Sequence, residues 1–105
     1  MEKSIFLGVM GNYPINKVLD FLITYEDFDY PMKEIAAKSG VGYSTLKLFW
    51  GGLIKNRIVI QTRTIGNAKL FTLNKDSPIV KQFKILYFSI LEAETKKELK
   101  EEIVV

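Results

Sequence analysis

Pro31-Met32-Lys33-Glu34-Ile35-Ala36-Ala37-Lys38-Ser39-Gly40-Val41-Gly42-Tyr43-Ser44-Thr45-Leu46 carries the strongest structural signal in the chain. It reads as two short helices joined by a tight turn, a helix-turn-helix unit. Ala36 is small where two helices would cross closely. Gly40 comes four positions later, where the turn wants a positive φ. Val41 plugs the angle between the helices, and Ile35, Leu46 and Phe49 supply apolar anchors. No one residue is diagnostic, and a generic helical hairpin shares several of them. Their combination points to a unit that lays its second helix in the major groove of DNA.

Before this unit, Pro14 suits the first turn of a preceding helix. Val18, Leu19, Leu22 and Ile23 recur at helical spacing, so a first helix is expected from Pro14 to Tyr25. The segment before Asn12 fits either strand or helix. Tyr30-Pro31 is a short extended link, because a residue before proline avoids the α region. The second helix covers Met32 to Ser39. The third starts at Tyr43 or Ser44 and ends near Asn56. Its buried stripe is Leu46, Phe49, Trp50 and Leu53, with Ile54 at the margin. Its outer face carries Ser44, Thr45, Lys47, Leu48, Gly51 and Lys55.

Ile58 to Ile65 and Ala68 to Leu73 are β-rich runs around Gly66-Asn67, a two-residue hairpin turn. Regular pairing sets Ile65 against Ala68, Thr64 against Lys69, Arg63 against Leu70, Thr62 against Phe71 and Ile60 against Leu73. Ile60, Thr62, Phe71 and Leu73 then share the core face, with Arg63 on the other. A last long helix is capped by Asp76 or Ser77, with Pro78 in its first turn. Its residues 85–91 are apolar nearly all round, more than one small domain can cover. The tail from Glu92 to Glu102 is charged, with Glu/Lys pairs at helical spacing.

The expected organisation is a single domain over 1–105: an N-terminal extension over 1–11, helix-turn-helix and wing over 12–76, and a C-terminal helix over 77–105. The fold class is mainly α with a small β-hairpin (α+β). At 105 residues and 48% hydrophobic content the chain can bury one core. It contains neither cysteine nor histidine. That excludes disulfides, Cys/His zinc sites, cysteine nucleophiles and Ser-His triads, so no catalytic or metal residue and no cofactor is assigned. The absence of cysteine fits a reducing compartment. The apolar run within the first ten residues is too short to span a membrane and has no cleavage site, so a cytoplasmic protein without membrane association is expected. Glu26, Asp27 and Asp29 form a polar loop without the glycine-centred geometry of a cation site.

Charge is unevenly spread. Residues 31–84 hold ten basic residues against two acids, a net of +8, while residues 1–30 and 85–105 carry −3 and −2. The positive segment coincides with the helix-turn-helix and the hairpin after it, the pattern of a polyphosphate-binding surface.

Three helices, a hairpin and a long closing helix, in that order, resemble the archaeal winged helix-turn-helix transcriptional regulators over residues 10–90. The matching stretches are Tyr13-Pro14 with Lys17-Val18-Leu19-Asp20-Phe21-Leu22, Glu34-Ile35-Ala36 with Gly40-Val41, and Thr45-Leu46 with Phe49-Trp50. They continue through Arg63-Thr64-Ile65-Gly66-Asn67-Ala68-Lys69-Leu70-Phe71 and through Leu73-Asn74 with Ser77-Pro78-Ile79-Val80. The resemblance implies double-stranded DNA binding by the third helix and wing, as a homodimer. Gly51-Gly52 departs from the family, which carries charged or long residues there. A kink, a close backbone contact or an early helix end would each accommodate it.

The residues expected to meet DNA are Lys33, Tyr43, Ser44, Thr45, Lys47, Leu48, Arg63, Thr64, Asn67 and Lys69. Ser44 is equally suited to a plain N-cap and Lys47 to a solvated charge, while Asn67 is better suited to a turn position in the left-handed conformation than to DNA contact. The third helix offers no Arg, Asn or Gln on its outer face, so direct bidentate base reading is sparse. Phe83, Leu86, Tyr87, Phe88, Ile90 and Leu91 are expected to dimerise the last helix. The function these features imply is a sequence-selective transcriptional regulator, with the third helix in the major groove and the wing on the adjacent minor groove or backbone. A DNA-binding protein of plasmid partition or replication would use the same module. A winged helix serving protein–protein contact is the other alternative, which the +8 segment opposes.

Overall fold

Six residues, Ile5–Met10, open the chain as helix α1. The computed structural model describes the backbone of residues 4–104 and the side chains of residues 4–99. Residues 1–3 of the expected extension, Val105, and the side chains of the charged tail beyond Leu99 lie outside the described residues. The ambiguity before Asn12 is resolved by capping and packing. The Ser4 hydroxyl accepts from the Leu7 amide at 3.4 Å, and Phe6 is buried against Phe83 and Tyr87 at ring-centroid distances of 5.6 and 5.1 Å.

Helices α2 (Pro14–Thr24), α3 (Met32–Ser39) and α4 (Tyr43–Lys55) are the three expected from the sequence. Between α3 and α4, Gly40 sits at φ +74°. The Val41 amide donates to Ala36 O at 2.9 Å and the Gly40 amide to Ala37 O at 3.3 Å, the two bonds of a Schellman closure. Ala36 and Val41 are both buried, as the turn requires. The Tyr30-Pro31 link is strand β1, pairing antiparallel with β3 (Ala68–Leu73), which pairs in turn with β2 (Val59–Ile65). Trp50 of α4 meets Phe71 of β3 edge-on at 5.2 Å, seating α4 on the sheet. Ile54, at the margin of the stripe, stays exposed.

The hairpin register holds only at its tip. Ile65, Thr64 and Arg63 face Ala68, Lys69 and Leu70 as expected, but a bulge at Thr62 then shifts the pairing to Gln61 with Phe71, Ile60 with Thr72 and Val59 with Leu73. Ile60 and Thr62 are therefore not core residues; Val59 is buried in their place, beside Leu73. The cause lies outside the hairpin. The Thr62 hydroxyl and the Arg63 guanidinium both donate to Asp29, which adjacent residues of a regular strand, pointing to opposite faces, could not do. At the tip, positive φ belongs to Gly66 at +61° and not to Asn67, the pattern of a type II′ turn.

Helix α5 (Pro78–Val104) spans 27 residues, about 40 Å. Ser77 caps it by accepting from the Val80 amide at 3.3 Å. Val80, Tyr87 and Ile90 are buried in the domain's own core, with Phe83 and Leu91 half-buried against it. The Tyr87 hydroxyl donates to Asp20 at 2.8 Å, and Ser4 donates to the same carboxylate at 3.0 Å, tying α5, α2 and α1 together. Burial raises the Tyr87 phenol above its ordinary pKa, keeping it a donor. Ile85, Leu86 and Phe88 remain exposed. No described helix is long and apolar enough to cross a membrane.

Candidate nucleic-acid interface

The first turn of α4 is built around Tyr43. Lys47, one turn on, places Nζ 4.4 Å from the Tyr43 ring centroid, and Lys33 from the first turn of α3 places its own at 5.7 Å. Both lie within cation–π reach, so a half-buried aromatic fixes two exposed ammonium groups on one surface. The N-cap of α4 is Gly42, with no side-chain cap, and its first turn has no acidic residue. Ser44 is therefore not the cap; it lies exposed in the first turn. The N-terminal amides and the helix dipole there favour an anion.

Opposite this turn stands the wing. Pro31, Met32, Lys33 and Tyr43 on one side and Asn67, Ala68, Lys69 and Phe71 on the other line an open groove of about 500 Å³. Lys33 and Lys69 both line it. Four of the expected site residues, Lys33, Tyr43, Asn67 and Lys69, are thus brought together. Ser44, Lys47 and Leu48 are exposed on α4 beside them, with Thr45 half-buried, and Thr64 is exposed near the wing tip, accepting from Gln61 Nε2 at 3.1 Å.

Arg63 is not brought to this groove. Its Nε donates to Asp29 Oδ2 at 2.9 Å and its Nη2 to Asp29 Oδ1 at 3.0 Å, a bidentate clamp. It lines a separate recess of about 510 Å³ with Glu26, Asp27, Phe28 and Asp29. Hydrogen bonds from Arg63, and then from Thr62, hold the Asp29 carboxyl below the usual carboxylate range, and Arg63 is raised in turn. The acidic loop after α2 is accordingly more than a polar connection. Asp29 clamps Arg63, Asp27 lies 3.4 Å from Lys75 Nζ, and Glu26 lies 2.9 Å from Lys84 Nζ. It pairs three of the ten basic residues of the 31–84 segment. Lys33, Lys47, Lys55, Arg57, Lys69 and Lys81 make no ion pair among the described residues. Four of these six lie on α3, α4 and the wing.

Sequence reasoning missed Asp29 and Asn74. Asn74 is buried and donates from Nδ2 to Arg57 O at 2.9 Å, while its amide donates to Ile58 O. It pins the turn after α4 to the turn before α5. Its only sequence signal was its place in the Leu73-Asn74 link.

Gly51 and Gly52 are helical, and α4 runs on to Lys55 without an early end. A Cβ at either position would meet nothing within 4 Å, so no close contact inside the chain explains them.

Helices α2 to α4, the three-stranded antiparallel sheet with its β2–β3 wing and the closing α5 match solved structures closely enough to settle the architecture. A mutant ZitR from Lactococcus lactis in its apo form superposes with a TM-score of 0.64 at 15% identity, over 94% of this chain and 83% of that one. The fold is a winged helix. MepR, a transcription regulator of a Staphylococcus aureus multidrug efflux pump, matches with a TM-score of 0.58 at 13% identity, over 83% of this chain and 70% of its own. HlyU, a transcriptional regulator from Vibrio vulnificus, matches with 0.52 at 21% identity, over 79% and 84%. Against another ZitR structure this winged helix spans 66% of that chain's length. No family model matches the sequence, and no curated protein matches it.

Proposed function

We propose that this winged helix is a sequence-selective, double-stranded DNA-binding transcriptional regulator of the archaeal type its motifs resemble, acting as a homodimer. The observation that carries the reading is the groove between α3–α4 and the wing, with Lys33 and Lys69 on its walls and Tyr43 between Lys33 and Lys47. A phosphodiester strand fits such a groove: ammonium groups flank it and the uncapped α4 N-terminus adjoins it. Helix α4 then enters the major groove with Ser44, Thr45, Lys47 and Leu48 outward, and the wing, through Thr64, Asn67 and Lys69, lies on the adjacent minor groove or backbone. Arg63 ties the wing to the loop after α2 through Asp29. The structural neighbours named as transcription regulators support the same role.

The homodimer rests on α5. Ile85, Leu86 and Phe88 are 60%, 45% and 53% exposed, and Val9 and Met10 of α1 are exposed as well. Of the six residues assigned to dimerisation, Leu86 and Phe88 offer open surface, while Phe83, Tyr87, Ile90 and Leu91 shape it from within.

The test is the Lys33→Ala/Lys69→Ala double variant in a duplex gel shift. It should lose affinity for all sequences alike while its folding stability stays within about 0.5 kcal/mol of wild type, as surface substitutions do. Undiminished affinity would remove the groove from the binding surface.

A further inference from the structure

Leu48, 85% exposed in the middle of α4, has the largest exposure of any large apolar side chain in the described structure. Scattered surface leucines are ordinary, but the setting of this one is not. Ser44 lies one turn before it and Gly51 and Gly52 one turn after, so helical spacing lines them on one outward strip. Lys47 and Lys55 border the strip, and α4 contains no acidic residue. Its charge suits a polyanion and would repel a second copy of itself. The strip presents no Arg, Asn or Gln, so bidentate reading of guanine or adenine is absent. Gly51 and Gly52 have no positive φ and nothing packed against their faces, so the fold itself does not need glycine there. Each weakens the helix relative to alanine.

We propose that Leu48 is the specificity-determining side chain of α4 and reads the 5-methyl groups of thymine in the major groove, with Gly51 and Gly52 letting the helix backbone come close. This rests on the DNA-binding reading above. The thymine methyl is the apolar feature of the major-groove edge, and an exposed leucine is matched to it by burial alone. A side chain at Gly51 or Gly52 would hold the next turn away from the base edges.

The experiment uses a duplex enriched from a random-core pool by the full chain, then resynthesised with uracil replacing thymine, which keeps the pairing and deletes the methyl. Wild type should bind the uracil duplex about fourfold more weakly for each contacted methyl, the factor for burying one apolar carbon. Leu48→Ala should bind both duplexes equally, with the wild-type salt dependence. Gly51→Ala should raise the thermal midpoint by roughly 4–8 °C and yet weaken binding to the thymine duplex. Equal wild-type affinity for the two duplexes overturns the role of Leu48 and leaves DNA binding standing. A stabilised Gly51→Ala with unchanged affinity overturns the close approach. Absence of duplex binding at low salt overturns both readings.

Discussion

Arg57 occupies a conformation that glycine normally takes. It comes after α4 at φ 56°, donating its amide to Ile54 O, while the Ile58 amide donates to Leu53 O. That is the same Schellman closure that Gly40 makes after α3, here with a Cβ in the left-handed region. Arg57→Gly should therefore stabilise the fold by about 1 kcal/mol, read as an increased denaturation midpoint. Asp29 makes a second residue-scale prediction. Its pKa is depressed in the folded state by Arg63 and Thr62, so its contribution is present above the unfolded carboxylate pKa and is lost as pH falls through the folded value. Asp29→Asn should flatten the acid limb of the stability profile, seen by circular dichroism across that range. A mutant whose acid limb matches wild type would show that this clamp does not couple to folding. Neither feature was legible in the sequence. Alternation placed Arg63 correctly off the core face, but its partner stands 34 positions away, and the bulge that this pairing produces has no local signature.

Among the elements, the helix-turn-helix was the most legible part. The spacing of Ile35, Ala36, Gly40, Val41 and Leu46 reflects steric demands that are met within a few residues, and α3 has the expected bounds. The wing tip was legible for the same reason, since a two-residue turn sets its own register. Helix α1 was not, because a run of six residues, five of them apolar, suits either periodicity until Phe6 finds Phe83 and Tyr87 on α5. Within α4, Tyr43 fixes Lys33 and Lys47, so the two lysines form one unit. Tyr43→Leu should weaken duplex binding while leaving the number of lysines unchanged, and Tyr43→Phe, which keeps the ring face, should restore it. Equal loss in both variants, measured by fluorescence anisotropy, would assign Tyr43 a hydroxyl contact instead.

At the scale of the molecule, α5 is divided along its length between two tasks. One side closes the core through Val80, Tyr87 and Ile90, and the other leaves Ile85, Leu86 and Phe88 in solvent. Apolar excess over residues 85–91 was plain in the sequence, and the helical spacing of Val80, Phe83, Tyr87, Ile90 and Leu91 marked the inward side, although Ile79 and Leu86, which share that spacing, stay exposed. Leu86 and Phe88 lie on the outer side, Phe88 with its ring edge-on to Tyr87 at 5.5 Å; Leu86→Glu and Phe88→Glu should each fold, sediment as a monomer and lose much of the avidity two linked half-sites provide. A wild-type chain that sediments as a monomer at micromolar concentration would contradict the dimer.

The proposed function requires that the surface of α3, α4 and the wing take a DNA backbone. A salt titration of duplex binding by fluorescence anisotropy tests it most directly. Binding should be readily measured at low salt, and log K should fall linearly with log salt at a slope of about −0.9 per phosphate contact, shallower by about one unit in each of Lys33→Ala and Lys69→Ala. No binding at low salt, or an affinity that salt does not change, would contradict it.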